Sequence, residues 1–198
     1  MSNETYRVAI AIHPLSDVYY GRPAQAAMQQ ILDDTRLDTS VGVTAPNYLG
    51  KPYSLYVRPK QIICSPPLTT DDLRTRSRHN KFGGHPYYIL EPAVLTSLLE
   101  IENSLHNVEI SLMGGEAGGQ EGCHHLAFTD LIEWFYTYAT FIHSLYIDIP
   151  LTALFTLPNE AFNSSDKTTI AALHTRYHDV RVNSFTANKE HISAGFNR

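Results

Sequence analysis

The 198-residue sequence has the length of one domain, and its 43% apolar and 18% charged residues are typical of a globular protein. A net charge of −5, with basic residues clustered only locally, argues against a broad nucleic-acid-binding face. The two cysteines, Cys64 and Cys123, are too few for a disulfide framework or a cysteine-only zinc site.

Strand and helix patterns alternate along the chain. Short β-branched runs predict strands, and wider apolar spacing predicts helices. The predicted strands are 6–13, 41–45, 54–57, 61–64, 87–90, 108–113, 151–157 and 180–185. The predicted helices are 23–36, a short one from 69, 91–106, 131–147 and 164–178. This alternation predicts a single α/β domain over residues 1–185, a Rossmann-like layered fold with a largely parallel sheet flanked by helices. Residues 186–198 are predicted to be a loosely structured tail.

A glycine-rich stretch, MGGEAGGQEGCHH at 113–125, connects a predicted strand to a predicted helix. Ligands of parallel sheets bind at such strand ends, so Gly114, Gly115 and Gly118 are candidate ligand-binding residues. His13, at the end of the first strand, is another. The stretch lacks the spacing of a known phosphate-binding loop, and Glu116 and Glu121 would repel phosphate.

The Cys-His-His triplet in this stretch leaves several interpretations open. Cys123, His124 and His125 are possible metal ligands, but adjacent histidines usually point in different directions, so whether a metal or any other cofactor is bound stays unknown. Cys123 could instead be a nucleophile with a neighbouring histidine as base, and His85 is a further candidate acid/base. A surface loop or an oligomer contact without chemistry is the third interpretation.

A second candidate site is RTRSRHNKFGGHP at 74–86. In an extended segment the alternating arginines would project to one side, and guanidinium groups pair bidentately with phosphate or carboxylate. The residues predicted to bind an anion here are Arg74, Arg76, Arg78, Lys81, Gly83 and Gly84. A solvated loop, or one held by salt bridges to acidic residues, is the alternative.

Charge and hydropathy bear on partners and location. Residues 82–166 carry eleven acids and no Lys or Arg, and this segment holds many of the tyrosines. Solvated edges of core elements would explain this acidic composition. A tyrosine-rich oligomer surface would explain it as well, and on that interpretation we expect a homo-oligomer. Residues 1–12 do not resemble a secretory signal, and 131–147 is short for a membrane span. We therefore expect a cytoplasmic protein without a membrane partner.

Taken together, the sequence favours a binding domain for a small anionic, nucleotide-like molecule, acting as a sensor or sequestering module. A hydrolase or transferase that uses His or Cys chemistry in the strand-end loops, with or without a metal, is the alternative. An oligomeric interaction protein is the third possibility. No complete catalytic motif decides between them.

Overall fold

A computed structural model of the chain describes residues 5–14, 22–44, 59–64, 88–98, 107–115, 123–154, 182–187 and 191–198. Its strands are β1 (Thr5–Ile12), β2 (Thr39–Thr44), β3 (Gln61–Cys64), β4 (Asn107–Gly114), β5 (Ser144–Pro150), β6 (Val182–Ala187) and β7 (His191–Asn197). Its helices are α1 (Arg22–Leu32), α2 (Pro92–Leu98) and α3 (Cys123–Glu133), with a π-helical turn at Trp134–Tyr138 and a 3₁₀ turn at Leu151–Ala153.

The described strands form one mixed sheet in the order β3-β2-β1-β4-β5-β7-β6. The first five in that order pair in parallel, whereas β7 is antiparallel to both of its neighbours. The prediction of an α/β fold with a largely parallel sheet is confirmed at this level.

Helices cover both faces of the sheet. Alternate residues of β1 point to opposite sides, as strand geometry requires. Val8, Ile10 and Ile12 join the larger core, which contains buried side chains of α3 and the π-helical turn. Ala9 and Ala11 join a smaller core with Met28 and Leu32 of α1 and Ala153. The central strand is therefore buried on both faces, as in other sheets covered by helices on both sides.

Residues 131–147 were predicted to form one helix, and this prediction is wrong. Helix α3 ends at Glu133, and the π-helical turn closes with a 2.8 Å hydrogen bond from the Ala139 amide to the Trp134 carbonyl. Residues Ser144–Pro150 form β5, in which Leu145, Ile147 and Ile149 are buried and Tyr146 is exposed. This period of two is a strand pattern, which the aromatic run preceding it obscured.

The prediction of a loosely structured tail at 186–198 is also wrong. Residues His191–Asn197 form β7, which lies between β5 and β6 in the sheet. Ile192, Ala194 and Phe196 alternate along the strand and are buried in the larger core. The Phe196 ring lies 6.4 Å from the Phe128 ring of α3, centroid to centroid. The alternation is short and interrupted by small and polar residues, so it gave only a weak strand signal.

Two further strand predictions fail in the described residues. Residues 88–90 form no strand, because the amides of Ile89 and Leu90 donate to Asp130 rather than to a neighbouring strand. Leu151–Ala153 is a 3₁₀ turn and not the start of a strand. The predicted elements at 54–57, from 69 and at 164–178 lie outside the described residues. No helix in the described ranges is long and apolar enough to cross a membrane.

Candidate functional site

The direction in which strands are added to the sheet changes between β1 and β4. The chain adds β2 and β3 on one side of β1, then returns to place β4 and β5 on the other side. Strands β1 and β4 are paired in parallel, with Ile12 opposite Gly114, so their carboxyl ends lie side by side. Residues that follow these two strands therefore meet at one place on the sheet edge.

Gly114 and Gly115 provide the tight exit from β4. Both have φ of +72°, in the left-handed region that favours glycine. A Cβ on Gly115 would lie 3.0 Å from the His124 backbone nitrogen and 3.0 Å from Ile12 Cγ2. The absence of a side chain at Gly115 thus lets the ends of β1 and β4 approach the first turn of α3.

His124 joins the first turn of α3 to the end of β4. Its side chain is buried, with 5% of the residue surface exposed, and its Nδ1 lies 2.8 Å from the Gly114 carbonyl oxygen. Because a carbonyl oxygen only accepts hydrogen bonds, Nδ1 carries the hydrogen. Burial lowers the pKa of His124 to about 4, an effect that the bond to Gly114 partly opposes. The ring is therefore neutral near pH 7, and its Nε2 is an acceptor.

Within the described residues, neither Nε2 of His124 nor Nδ1 of His13 has a hydrogen-bond partner, although both atoms are buried. His13 directly follows β1 and has φ of 53°, which is uncommon for a residue with a side chain. Its amide donates a 2.6 Å hydrogen bond to the Val43 carbonyl of β2, and burial lowers the pKa of its ring. Strained backbone is found preferentially at functional sites, and a buried polar atom without a partner calls for an explanation.

Cys123 and His125 flank His124 in the first turn of α3. Cys123 is half-buried and packs against the larger core, whereas His125 is buried. Successive helical residues point about 100° apart, so the three side chains of the triplet leave α3 in different directions. No group of three or more His, Cys, Asp or Glu side chains in the described ranges is placed to hold a metal ion.

The structure thus brings four of the predicted site residues, His13, Gly114, Gly115 and His124, to the adjacent ends of β1 and β4. Eight other candidates lie outside the described residues, namely Arg74, Arg76, Arg78, Lys81, Gly83, Gly84, His85 and Gly118. Their part in a site stays a prediction.

Two buried carboxylates on α3 were not anticipated from the sequence. Asp130 accepts hydrogen bonds from the amides of Ile89 and Leu90 at 2.8 and 2.9 Å, and Glu133 accepts one from the Tyr88 hydroxyl at 2.8 Å. Both acids lie in a mostly apolar part of α3, next to Leu131 and Ile132, and an acid at such a position was the sequence feature that could have indicated them. They attach residues 88–90 to the same helix whose first turn contacts Gly115.

A third acid, Asp148, was missed because β7 was not predicted. Its two carboxylate oxygens lie 2.9 Å from Nδ1 of His191 and 2.8 Å from the Ser193 hydroxyl. Asp148 and Ser193 are directly opposite each other in the paired strands β5 and β7. The cluster links these strands, and His191 is oriented by the carboxylate.

Comparison with known proteins gives no relative for this chain. No protein-family model matches it, and neither the curated proteins nor the solved structures contain a match.

Proposed function

We propose that this chain is a Rossmann-like domain that binds a small anionic, nucleotide-like molecule between the carboxyl ends of β1 and β4. The order β3-β2-β1-β4-β5 and the helices on both faces support a doubly wound arrangement. In sheets of this kind, ligands bind where the strand order changes direction, outside the carboxyl ends of the strands. That point lies between β1 and β4.

The observation that carries the proposal is the close approach of Gly115 to the start of α3. The Gly115 backbone lies against the His124 backbone nitrogen, beside the end of β1. The amino end of a helix carries a partial positive charge, which favours an anionic group of a ligand. Two consecutive glycines with positive φ let the backbone pass close to such a group.

The arginine-rich segment would supply full positive charges for binding an anion. His124 is neutral, and the described residues that approach Gly115 carry no cationic side chain. Guanidinium groups at Arg74, Arg76 and Arg78 would pair with phosphate or carboxylate oxygens. This contribution is proposed from the sequence alone.

Isothermal titration with AMP, ADP, ATP, GTP and cyclic AMP tests the proposal. We expect at least one to bind, and Gly115→Ala to weaken that binding. Gly195→Ala is the matched control, because Gly195 lies on β7 opposite Tyr146, toward the other end of the sheet. Its added methyl would come too close to one atom, the Ser184 hydroxyl oxygen, which can rotate away. A folded wild-type protein that binds none of the five ligands would refute the proposal.

An enzyme is the second candidate, and the state of His124 favours it. A general base must be neutral and must present a lone pair, as Nε2 of His124 does. A pKa of about 4 gives a weak base, however, which is why the binding function ranks first. Turnover of phosphate esters by the wild-type protein, abolished in His124→Asn, would establish hydrolase or transferase chemistry.

A further inference from the structure

The hydrogen-bonding state of His124 defines what a ligand atom beside it must be. Nδ1 donates to the Gly114 carbonyl at 2.8 Å, so Nε2 of the neutral ring offers only a lone pair. A phosphate or carboxylate oxygen, which also only accepts, would repel this atom. A hydroxyl or N–H group would form a hydrogen bond with it.

Nε2 of His124 is buried and makes no hydrogen bond within the described residues. A buried polar atom without a partner is destabilising, and in native structures such atoms are few and call for an explanation. Nε2 is on the opposite side of the imidazole ring from the hydrogen bond to Gly114. His124 lies in the first turn of α3, which approaches Gly115.

We propose that His124 is a specificity-determining residue that accepts a hydrogen bond at Nε2 from a hydroxyl group of the ligand. The inference rests on the proposed function and narrows it to hydroxyl-bearing phosphate esters, such as ribonucleotides and sugar phosphates. The positive end of α3 favours the anionic group, and His124 binds the neighbouring hydroxyl. A ligand that lacks this hydroxyl leaves the buried Nε2 without a partner.

The test compares the four ribonucleoside monophosphates with their 2′,3′-dideoxy counterparts by isothermal titration. The wild-type protein is expected to bind the ribonucleotides about 10- to 100-fold more tightly, the penalty for leaving a buried acceptor unpaired. In His124→Asn the amide can still donate to the Gly114 carbonyl, but the acceptor at the Nε2 position is lost. This variant should bind both series with similar affinity.

His143→Asn is the matched control, since His143 is exposed and follows the π-helical turn. It should keep the wild-type preference. Equal binding of ribonucleotides and dideoxynucleotides to the wild-type protein would overturn the inference and leave the proposed function standing. Absence of binding by both series, together with no binding of the five nucleotides tested above, would overturn both. If His124→Asn does not fold, the wild-type comparison of the two series still decides the question.

Discussion

A methyl group on Gly115 would lie 3.0 Å from the backbone nitrogen of His124, closer than side-chain carbons normally approach such an atom. Backbone atoms cannot rotate away as a side chain can, and Gly115 also has φ of +72°. The end of β4 and the start of α3 are therefore adjacent because residue 115 is glycine.

We predict that Gly115→Ala destabilises the protein by about 1–3 kcal/mol, from backbone strain and from the displaced helix start. Urea unfolding followed by circular dichroism measures the change. Gly195→Ala should lower the free energy of unfolding less, because its methyl would approach the Ser184 hydroxyl, which can rotate away. Equal losses for the two variants would contradict the close contact described here.

Asp130→Asn should destabilise the protein by about 2–4 kcal/mol, since a fully buried carboxylate that accepts two amide hydrogen bonds is replaced by a group with surplus donors. Hydrogen exchange should also show faster exchange of the Ile89 and Leu90 amides. Asp33→Asn is the control, because Asp33 is exposed and pairs with Gln29 on the helix surface. Unchanged exchange at residues 89 and 90 would argue against the Asp130 contact.

Stability should fall as the pH is lowered from about 6.5 to about 4. In this range His124 is protonated in the unfolded chain but stays neutral when buried, because burial lowers its pKa to about 4. The unfolded state then binds more protons, so acid favours unfolding, by about 3 kcal/mol over the full range. The lowered pKa of His13 acts in the same direction.

Urea unfolding at several pH values measures this slope in the wild-type protein and in His124→Asn. The variant should show a shallower loss between pH 6.5 and 4, whereas His143→Asn should follow the wild type. Parallel curves for wild type and His124→Asn would mean that the ring is not neutral and buried as described.

Alkaline conditions should weaken the contact between Tyr88 and Glu133. Burial, together with the hydrogen bond to Glu133, raises the pKa of Tyr88 well above its ordinary value of 10. Above pH 10 the phenol ionises more readily in the unfolded chain, so stability decreases as pH rises. Tyr88→Phe should reduce this dependence, and Tyr146→Phe, at an exposed tyrosine, should leave it unchanged. Thermal unfolding between pH 8 and 11 provides the comparison.

The sequence predicted those elements whose local pattern and final environment agree. Strand β1 is a β-branched and alanine-rich run buried on both faces, and His13 was expected at its end. The Gly114-Gly115 exit was expected because glycine permits positive φ. The pairing of Ile12 with Gly114 could not be predicted, since strand register depends on residues about a hundred positions apart.

The wrong secondary-structure predictions share a physical cause. Contacts with residues distant in sequence outweigh the local preference of the chain for a helix or a strand. Residues 88–90 resemble a strand, but the amides of Ile89 and Leu90 donate to the Asp130 carboxylate. The helical aromatic run ends in a π-helical turn, after which Tyr146 faces solvent and its neighbours enter the core. The tautomer of His124 depends on the Gly114 carbonyl, ten residues away, and no sequence pattern reports it.

The position of β7 between β5 and β6 limits when the last two strands can pair with the sheet. Strand β6 precedes β7 in the chain, yet in the described sheet its neighbour is β7 alone. During synthesis, β6 therefore emerges from the ribosome before the strand that it pairs with. It must wait with its edge unpaired until residues 191–197 have been made. All five parallel strands, whose carboxyl ends carry the candidate site, precede β6 in the chain and are made before the β6–β7 pair can form.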